Sequence, residues 1–221
     1  MSHGHKGVAP AHQFESVEQQ QRVARFGMWM FLISETMIFG ALFTGYAVYW
    51  TLYPEAFREA AQFLDVTYGT VMTVVLLVSS TTVALAITAL EGDRRRLAAG
   101  LFGVTIALGL VFFVLKIIEY AEKIGDGLLP TRGFEYPGAE SADQAQVFFS
   151  WYFVITGTHA VHLIVGLAAI GFVIWPILRG TYHAKYFSPV EGTGLYWHLV
   201  DVIWIFVFPL LYLMGRAGGM G

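Results

Sequence analysis

The sequence predicts an all-α protein, a polytopic membrane helix bundle with five transmembrane helices, and three observations predict it. Of its 221 residues, 56% are hydrophobic and only 13% charged, whereas an ordinary soluble domain is about 45–50% apolar and about 25% charged. Mean hydropathy is +0.60. Apolar runs recur along almost the whole chain, carrying more apolar surface than one soluble core can hide, so that surface must face lipid.

A helix crosses about 30 Å of hydrocarbon with roughly 20 apolar residues, and five stretches meet that length. Residues 1–25 precede them as a polar N-terminal segment. It lacks the apolar centre of a secretory signal, so the first hydrophobic stretch is expected to stay in the protein as an anchor. His3, His5 and His12 titrate near neutral pH and read as part of a disordered tail in preference to a proton-collecting cluster.

The first span is placed at 26–53. Pro54 stops it, and Tyr46, Tyr49, Trp50 and Tyr53 form an expected interfacial aromatic belt. PEAFREAAQFLD then reads as a short interfacial helix. The second span, 66–90, carries Ser79, Ser80, Thr81 and Thr82 in its middle, where hydroxyls can bond back to the carbonyl one turn earlier. EGDRRR turns the chain into the third span, 97–120, which ends in KIIEYAEK. A Gly- and Pro-rich polar connection without apolar periodicity follows and reads as an extramembrane loop. The fourth span, 147–178, is overlong and must tilt or project, with Pro176 able to kink its end. The fifth covers 195–215, and 217–221 is a tail too short to be a domain.

Charge sets the orientation, because Lys and Arg of short loops collect on the cytoplasmic side. Lys6, Arg22, Arg25, Arg94, Arg95, Arg96, Arg179 and Lys185 fall on one side of a five-span chain, against Arg58, Lys123, Arg132 and Arg216 on the other. The N-terminus is therefore expected in the cytoplasm and the C-terminus outside. A net charge of −3 without a basic block gives no nucleic-acid partner. The chain has no cysteine, which excludes disulfides, thiol catalysis, thiolate-held zinc, iron–sulfur clusters and a cysteine-ligated dinuclear copper centre. There is no nucleophile motif, phosphate loop or dinucleotide fingerprint.

Ionisable residues inside the spans each require a reason, since one at the bilayer centre costs about 2.5–3.5 kcal/mol even on the gentler scale. Glu35 lies about 15 Å beyond Arg25 along a helix, near the midplane, and reads either as a neutral acid or as a group hydrogen-bonded to another helix. His159 and His162 share one helical face at i and i+3, and a carbonyl or hydroxyl partner is a better expectation for them than a metal. His198 and Asp201 repeat that spacing on the fifth span. Asp201 is about 12 Å into its helix, against about 25 Å for His162 counted back from Arg179, so Glu35 is expected to meet the fifth span before it meets the His pair. Trp197 and Trp204 read as packing and interface anchors. Lys116 and Glu119 read as a surface-level interfacial ion pair with a snorkelling lysine.

Five segments in order, RFGMWMFLISETMIFGALF, the Ser/Thr run leading to EGDRRR, KIIEY, FFSWYFVITGTHAVHLIVG and YWHLVDVIWIFVFPLLY, make the chain resemble subunit III of cytochrome c oxidase and related haem-copper oxidases. The resemblance implies a non-catalytic helical bundle beside subunit I in the inner membrane, with subunits I and II as partners. It implies no cofactor held by this chain: haem and copper belong to the partner subunits, and structural phospholipid is the expected ligand. Glu35 matches the family's buried carbodiimide-reactive glutamate in its SE motif. With His159, His162, His198 and Asp201 it is carried over as a structural or proton- and lipid-linked residue, supporting stability and proton uptake. Longer members have two more helices ahead, and the chain resembles the short five-helix form. The electron donor, cytochrome c or quinol, and membership of a supercomplex stay open. Alternatives are a nitric-oxide-reductase-associated homologue, a haem b anchor of a quinol dehydrogenase using His159 or His162 with His198, and a transporter, which would need inverted repeats and broken helices.

Overall fold

A computed structural model describes residues 16–137, 141–182 and 188–216. Among the described residues there are six helices: α1 (Val17–Leu52), α2 (Pro54–Ala61), α3 (Val66–Glu91), α4 (Arg95–Gly125), α5 (Ala142–Arg179) and α6 (Ser188–Phe208), the last followed by a π-helical segment, Pro209–Leu213. Of these same residues, five helical segments are long and apolar enough to span a membrane. Among the described residues there is no strand. The expected histidines His3, His5 and His12, and Lys6 and Lys185, lie outside the described residues.

The largest departure from the sequence reading is the start of α1. Ser16 caps it, its hydroxyl accepting from the Gln19 amide at 3.1 Å, and the S-x-x-Q pattern at 16–19 is that of a capping box. The helix therefore begins nine residues before 26, inside the segment read as polar lead-in. Pro54 ends α1 and opens α2, as position N1 of a helix favours. Helix α2 buries Ala56, Phe57, Ala60 and Ala61. The last apolar stretches also run longer at the ends: α4 continues to Gly125, and α5 begins at Ala142, so its 38 residues extend about 57 Å.

Helices α3 and α4 form a tight antiparallel hairpin, α6 packs across α3 and α5, and α1 lies on α5 and α6. The Ser/Thr run in α3 pins this arrangement. Ser79, Thr81 and Thr82 bond back to carbonyls of their own helix, as expected. Outward links add to these bonds. Thr82 meets Thr105 of α4 at 2.8 Å, Ser79 accepts from the Trp197 indole at 3.1 Å, and Thr73 accepts from Trp204 at 3.0 Å. Trp197 and Trp204 are buried, so both are interior packing residues and not interface anchors.

Helix α1 is fastened at its C-terminal half. Tyr46 is fully buried, enclosed by Phe57 and Phe148, and its hydroxyl donates to the Leu210 carbonyl at 3.2 Å. It is thus a core residue, a correction to its place in an aromatic belt, whereas Tyr49 and Tyr53 remain exposed. At Gly45 a Cβ would collide with the Trp151 ring of α5, and this small residue sets the close approach. Toward the other end Phe26, Trp29 and Met30 are exposed, while Met28 and Leu32 pack on the core and Phe31 meets the Tyr196 ring.

Candidate functional site

Glu35 and His162 come together between α1 and α5. The Glu35 Oε2 atom lies 2.6 Å from Nε2 of His162, and the two side chains are 13% and 16% exposed. The other ring nitrogen, Nδ1, is 2.7 Å from the Thr158 carbonyl oxygen. A carbonyl only accepts, so Nδ1 carries a hydrogen and donates. One further proton then resides between Nε2 and the carboxyl, either as a neutral acid donating to imidazole or as imidazolium donating to carboxylate. Phe39 stands edge-on to the imidazole at 5.1 Å, and the Tyr196 hydroxyl of α6 donates to the His162 carbonyl at 3.1 Å.

This pairing corrects the expectation that Glu35 meets His198 and Asp201. Its carboxylate hydrogen-bonds to the fourth span, and the fifth span approaches through Tyr196. The early start of α1 explains the error. Measured from Val17, Glu35 is about 27 Å along its helix, and His162 is about 25 Å from Arg179 along an antiparallel one, so the two lie at similar distances from the same end of the bundle.

His159 and His162, although one turn apart, lie in different surroundings. His159 is fully buried and neither ring nitrogen has a hydrogen-bond partner. Its ring is packed by Phe112 and by Trp204, with centroids at 5.7 and 5.0 Å.

Lys116 and Glu119 form the expected ion pair at 2.7 Å, but their side chains are 4% and 0% exposed. The reading of a surface-level pair with a snorkelling lysine is therefore corrected to an enclosed one. The sequence reading missed its aromatic shell. Lys116 donates to the hydroxyls of Tyr152 at 3.1 Å and Tyr212 at 3.0 Å, while Tyr212 donates to Glu119 Oε1 at 2.6 Å. The ammonium also stands over the Tyr152 ring, 4.6 Å from its centre. All this satisfies both charges inside the bundle, the condition under which a buried pair is tolerated. Tyr212 reaches it from the π-helical segment, where the Met214 amide donates to the Pro209 carbonyl, five residues back, at 3.0 Å.

His198 and Asp201 are joined to α3 and not to Glu35. His198 Nδ1 is 2.7 Å from the Ser80 hydroxyl. Asp201 is 4% exposed and its Oδ1 has no partner. His198 lines a cavity of about 920 Å³ between the first turns of α1 and α6 and the facing parts of α3 and α5. Among the described residues no three His, Asp or Glu side chains group as a possible metal site.

The sequence pattern of the cytochrome c oxidase subunit III family matches residues 11–216. The chain is 32% identical to cytochrome c oxidase subunit 3 of Thermostichus vulcanus over 191 residues, covering 86% of this chain and 87% of the relative. It is 28% identical over 206 residues to a probable quinol oxidase subunit 3 of Staphylococcus haemolyticus, covering 92% and 94%. A cytochrome c oxidase subunit 3 from Synechocystis is 30% identical over 190 residues, covering 86% of this chain and 75% of its own length.

Proposed function

Since the chain belongs to the cytochrome c oxidase subunit III family, we propose that it serves a haem-copper terminal oxidase as a non-catalytic subunit that stabilises subunit I and supports its proton uptake. The observation that carries this finer reading is the Glu35–His162 pair. A shared proton at membrane depth, on two helices and only partly enclosed, is a group able to exchange protons and to lock α1 onto α5 in the same contact. Oxygen reduction belongs to the partner subunits, which carry haem and copper. In this reading subunit II completes the complex, and the location is the inner membrane.

Structural phospholipid is part of the proposal. Phe26, Trp29, Met30 and Met37 give α1 an exposed apolar face, and Arg22 and Arg25 precede it on the side expected to be cytoplasmic. That order suits acyl chains below an anionic headgroup. The relatives named for cytochrome c oxidase and for quinol oxidase are both similar to this chain, so the donor is a property to be read from the complex.

The test is mild-detergent purification through a tag on this chain, with mass spectrometry, a reduced-minus-oxidised spectrum and oxygen-consumption traces. Copurification of a histidine-rich polytopic subunit with haem is expected, and a cysteine-bearing copper subunit would identify cytochrome c as donor. Complex lacking this chain is expected to lose activity in fewer turnovers. Isolation of the chain with a nitric oxide reductase or a transporter would overturn the proposal.

A further inference from the structure

The cavity between α1 and α6 is used by neither buried pair, since Glu35, His162, Lys116 and Glu119 all lie outside its lining. At about 920 Å³ it falls within the size range of ligand sites, about 300–1,000 Å³, and the space between helices of a bundle is one of the places where such sites occur. Short side chains, Ala24 of α1, Ala84 of α3 and Ala169 of α5, leave the space unfilled. Its wall holds three aromatic rings, Trp29, Phe31 and Tyr196, with the centroids of the last two 5.6 Å apart. Trp29 and Val165 line the cavity and are also exposed, so it opens sideways toward lipid.

Its polar groups stand at two levels. Arg25 and Glu191, nearer the starts of their helices, carry formal charges that cancel. His198 also lines the cavity, seven residues beyond Glu191 and so about 10 Å further along α6. Between these levels the Thr193 and Tyr196 hydroxyls are spent on the Pro189 and His162 carbonyls. The Ser80 hydroxyl engages His198 Nδ1 at 2.7 Å, which leaves Nε2 for an occupant. An acyl chain at the inner end would set hydrocarbon against that nitrogen, and a polar atom enclosed without a partner is costly. A phospholipid headgroup held by Arg25 and Glu191 stays too far out to satisfy it. A flat, net-neutral ring bearing oxygens meets both conditions, packing on the aromatic wall and offering an oxygen to the imidazole.

We propose that this cavity binds an isoprenoid quinone, its ring against His198 and its tail leaving past Trp29 and Val165 into the lipid. Both redox forms fit. The Ser80 hydroxyl either donates to Nδ1 or accepts from it, so Nε2 serves as donor to a quinone carbonyl or as acceptor from a quinol hydroxyl. The ligand is held and not converted: no bond changes and no electron moves at this site. The inference goes beyond support of proton uptake and concerns a ligand of this chain itself.

The test uses the complex that copurifies with the tagged chain, photolabelled with an azido derivative of decylubiquinone, and maps the labelled peptides of this chain by mass spectrometry over a concentration series. Saturable labelling within residues 20–31 and 189–198 is expected, displaced alike by decylubiquinone and decylubiquinol and not by dioleoylphosphatidylethanolamine. His198→Phe should raise the half-saturating concentration about tenfold, equivalent to about 1.4 kcal/mol, and His198→Gln, which keeps a polar group there, should raise it less. Ala84→Leu and Ala169→Leu fill the space from two different helices and should each abolish saturable labelling, with assembly of each variant read from the same purification. Labelling that rises without saturation, or falls equally on the exposed Phe172 of α5, is partition into surrounding lipid and overturns the proposal. Displacement by the phospholipid and not by decylubiquinone assigns the cavity to lipid and overturns it too. Saturable labelling unmoved by His198→Phe and by both leucine variants overturns the site. None of these readouts measures oxygen consumption or proton uptake, so this proposal and the role of the chain in the complex fail separately.

Discussion

Glu35 Oε2 on α1 and His162 Nε2 on α5 lie 2.6 Å apart across 127 positions of sequence, and His162 is held in place from behind by the Thr158 carbonyl. Removing either partner leaves the other polar and largely enclosed. Glu35→Ala and His162→Ala are each expected to destabilise the complex by about 1–3 kcal/mol, and the double variant by clearly less than their sum. Thermal melts of the purified complex in detergent provide the double-mutant cycle. Strict additivity would mean that the contact contributes nothing in solution.

The Lys116–Glu119 pair predicts an asymmetry. Lys116→Met leaves Glu119 enclosed without its cation, a change that costs about 3–5 kcal/mol for a buried pair. Lys116→Met combined with Glu119→Gln removes both charges and should regain most of that loss. A double variant no more stable than Lys116→Met would show that the charge of Glu119 is not the source of the cost.

Tyr212→Phe removes the donor at 2.6 Å from Glu119 and the acceptor for Lys116 at the same time. Its expected cost is about 1–3 kcal/mol, the range for a hydrogen bond to a charged group. A melt shifted by less than the error of the measurement would contradict this arrangement of the C-terminal segment.

His159 offers the opposite expectation. With both nitrogens unpartnered and an aromatic cage of Phe112 and Trp204, His159→Phe removes polar atoms that make no bond and retains a planar ring. Stability should be unchanged or slightly higher. Marked destabilisation would reveal an ordered water or ligand at that ring.

Asp65 gives a pH dependence outside the membrane segments. It caps α3 by accepting from the Thr67 amide at 2.7 Å, and this backbone hydrogen bond, with the Thr67 hydroxyl, holds its carboxyl below the ordinary value. A carboxyl lowered on folding stabilises the protein above the ordinary carboxylate range and loses that contribution as pH falls through the lowered value. Asp65→Ala should therefore cost about 0.5–1 kcal/mol near neutrality, at the low end for a cap because the group is solvent-exposed. The difference from wild type should shrink at acid pH. Melts of the two proteins across acidic and neutral buffers measure it.

Hydropathy sufficed to locate five spans, because apolar length is a one-dimensional property. Cap chemistry refines one of them: Ser16 and Gln19 are a visible signal that α1 starts early, and without it Glu35 is placed about 12 Å too near the start of its helix. That single shift moves its expected partner to α6. Lys116 and Glu119 were legible as a pair from their i, i+3 spacing, but their burial was not. It depends on Tyr152 and Tyr212, which are 36 and 96 residues from Lys116 and carry no local signature of meeting it. Ser80 likewise looked like its neighbours in the run, all able to bond back to their own helix, and only packing against α6 turned its hydroxyl toward His198.

The π-helical segment at 209–213 has a consequence for how this chain tolerates changes in length. An α-helix turns about 100° per residue, and a five-residue hydrogen-bonded loop such as Pro209 to Met214 absorbs one surplus residue within an otherwise continuous helix. Deleting a single residue there would restore α-helical winding with the phase beyond it nearly unchanged, so the final turn would keep its register with Leu64, to whose carbonyl Arg216 donates at 3.0 Å. The same deletion one turn earlier, in regular α-helix, would rotate that end by about 100°.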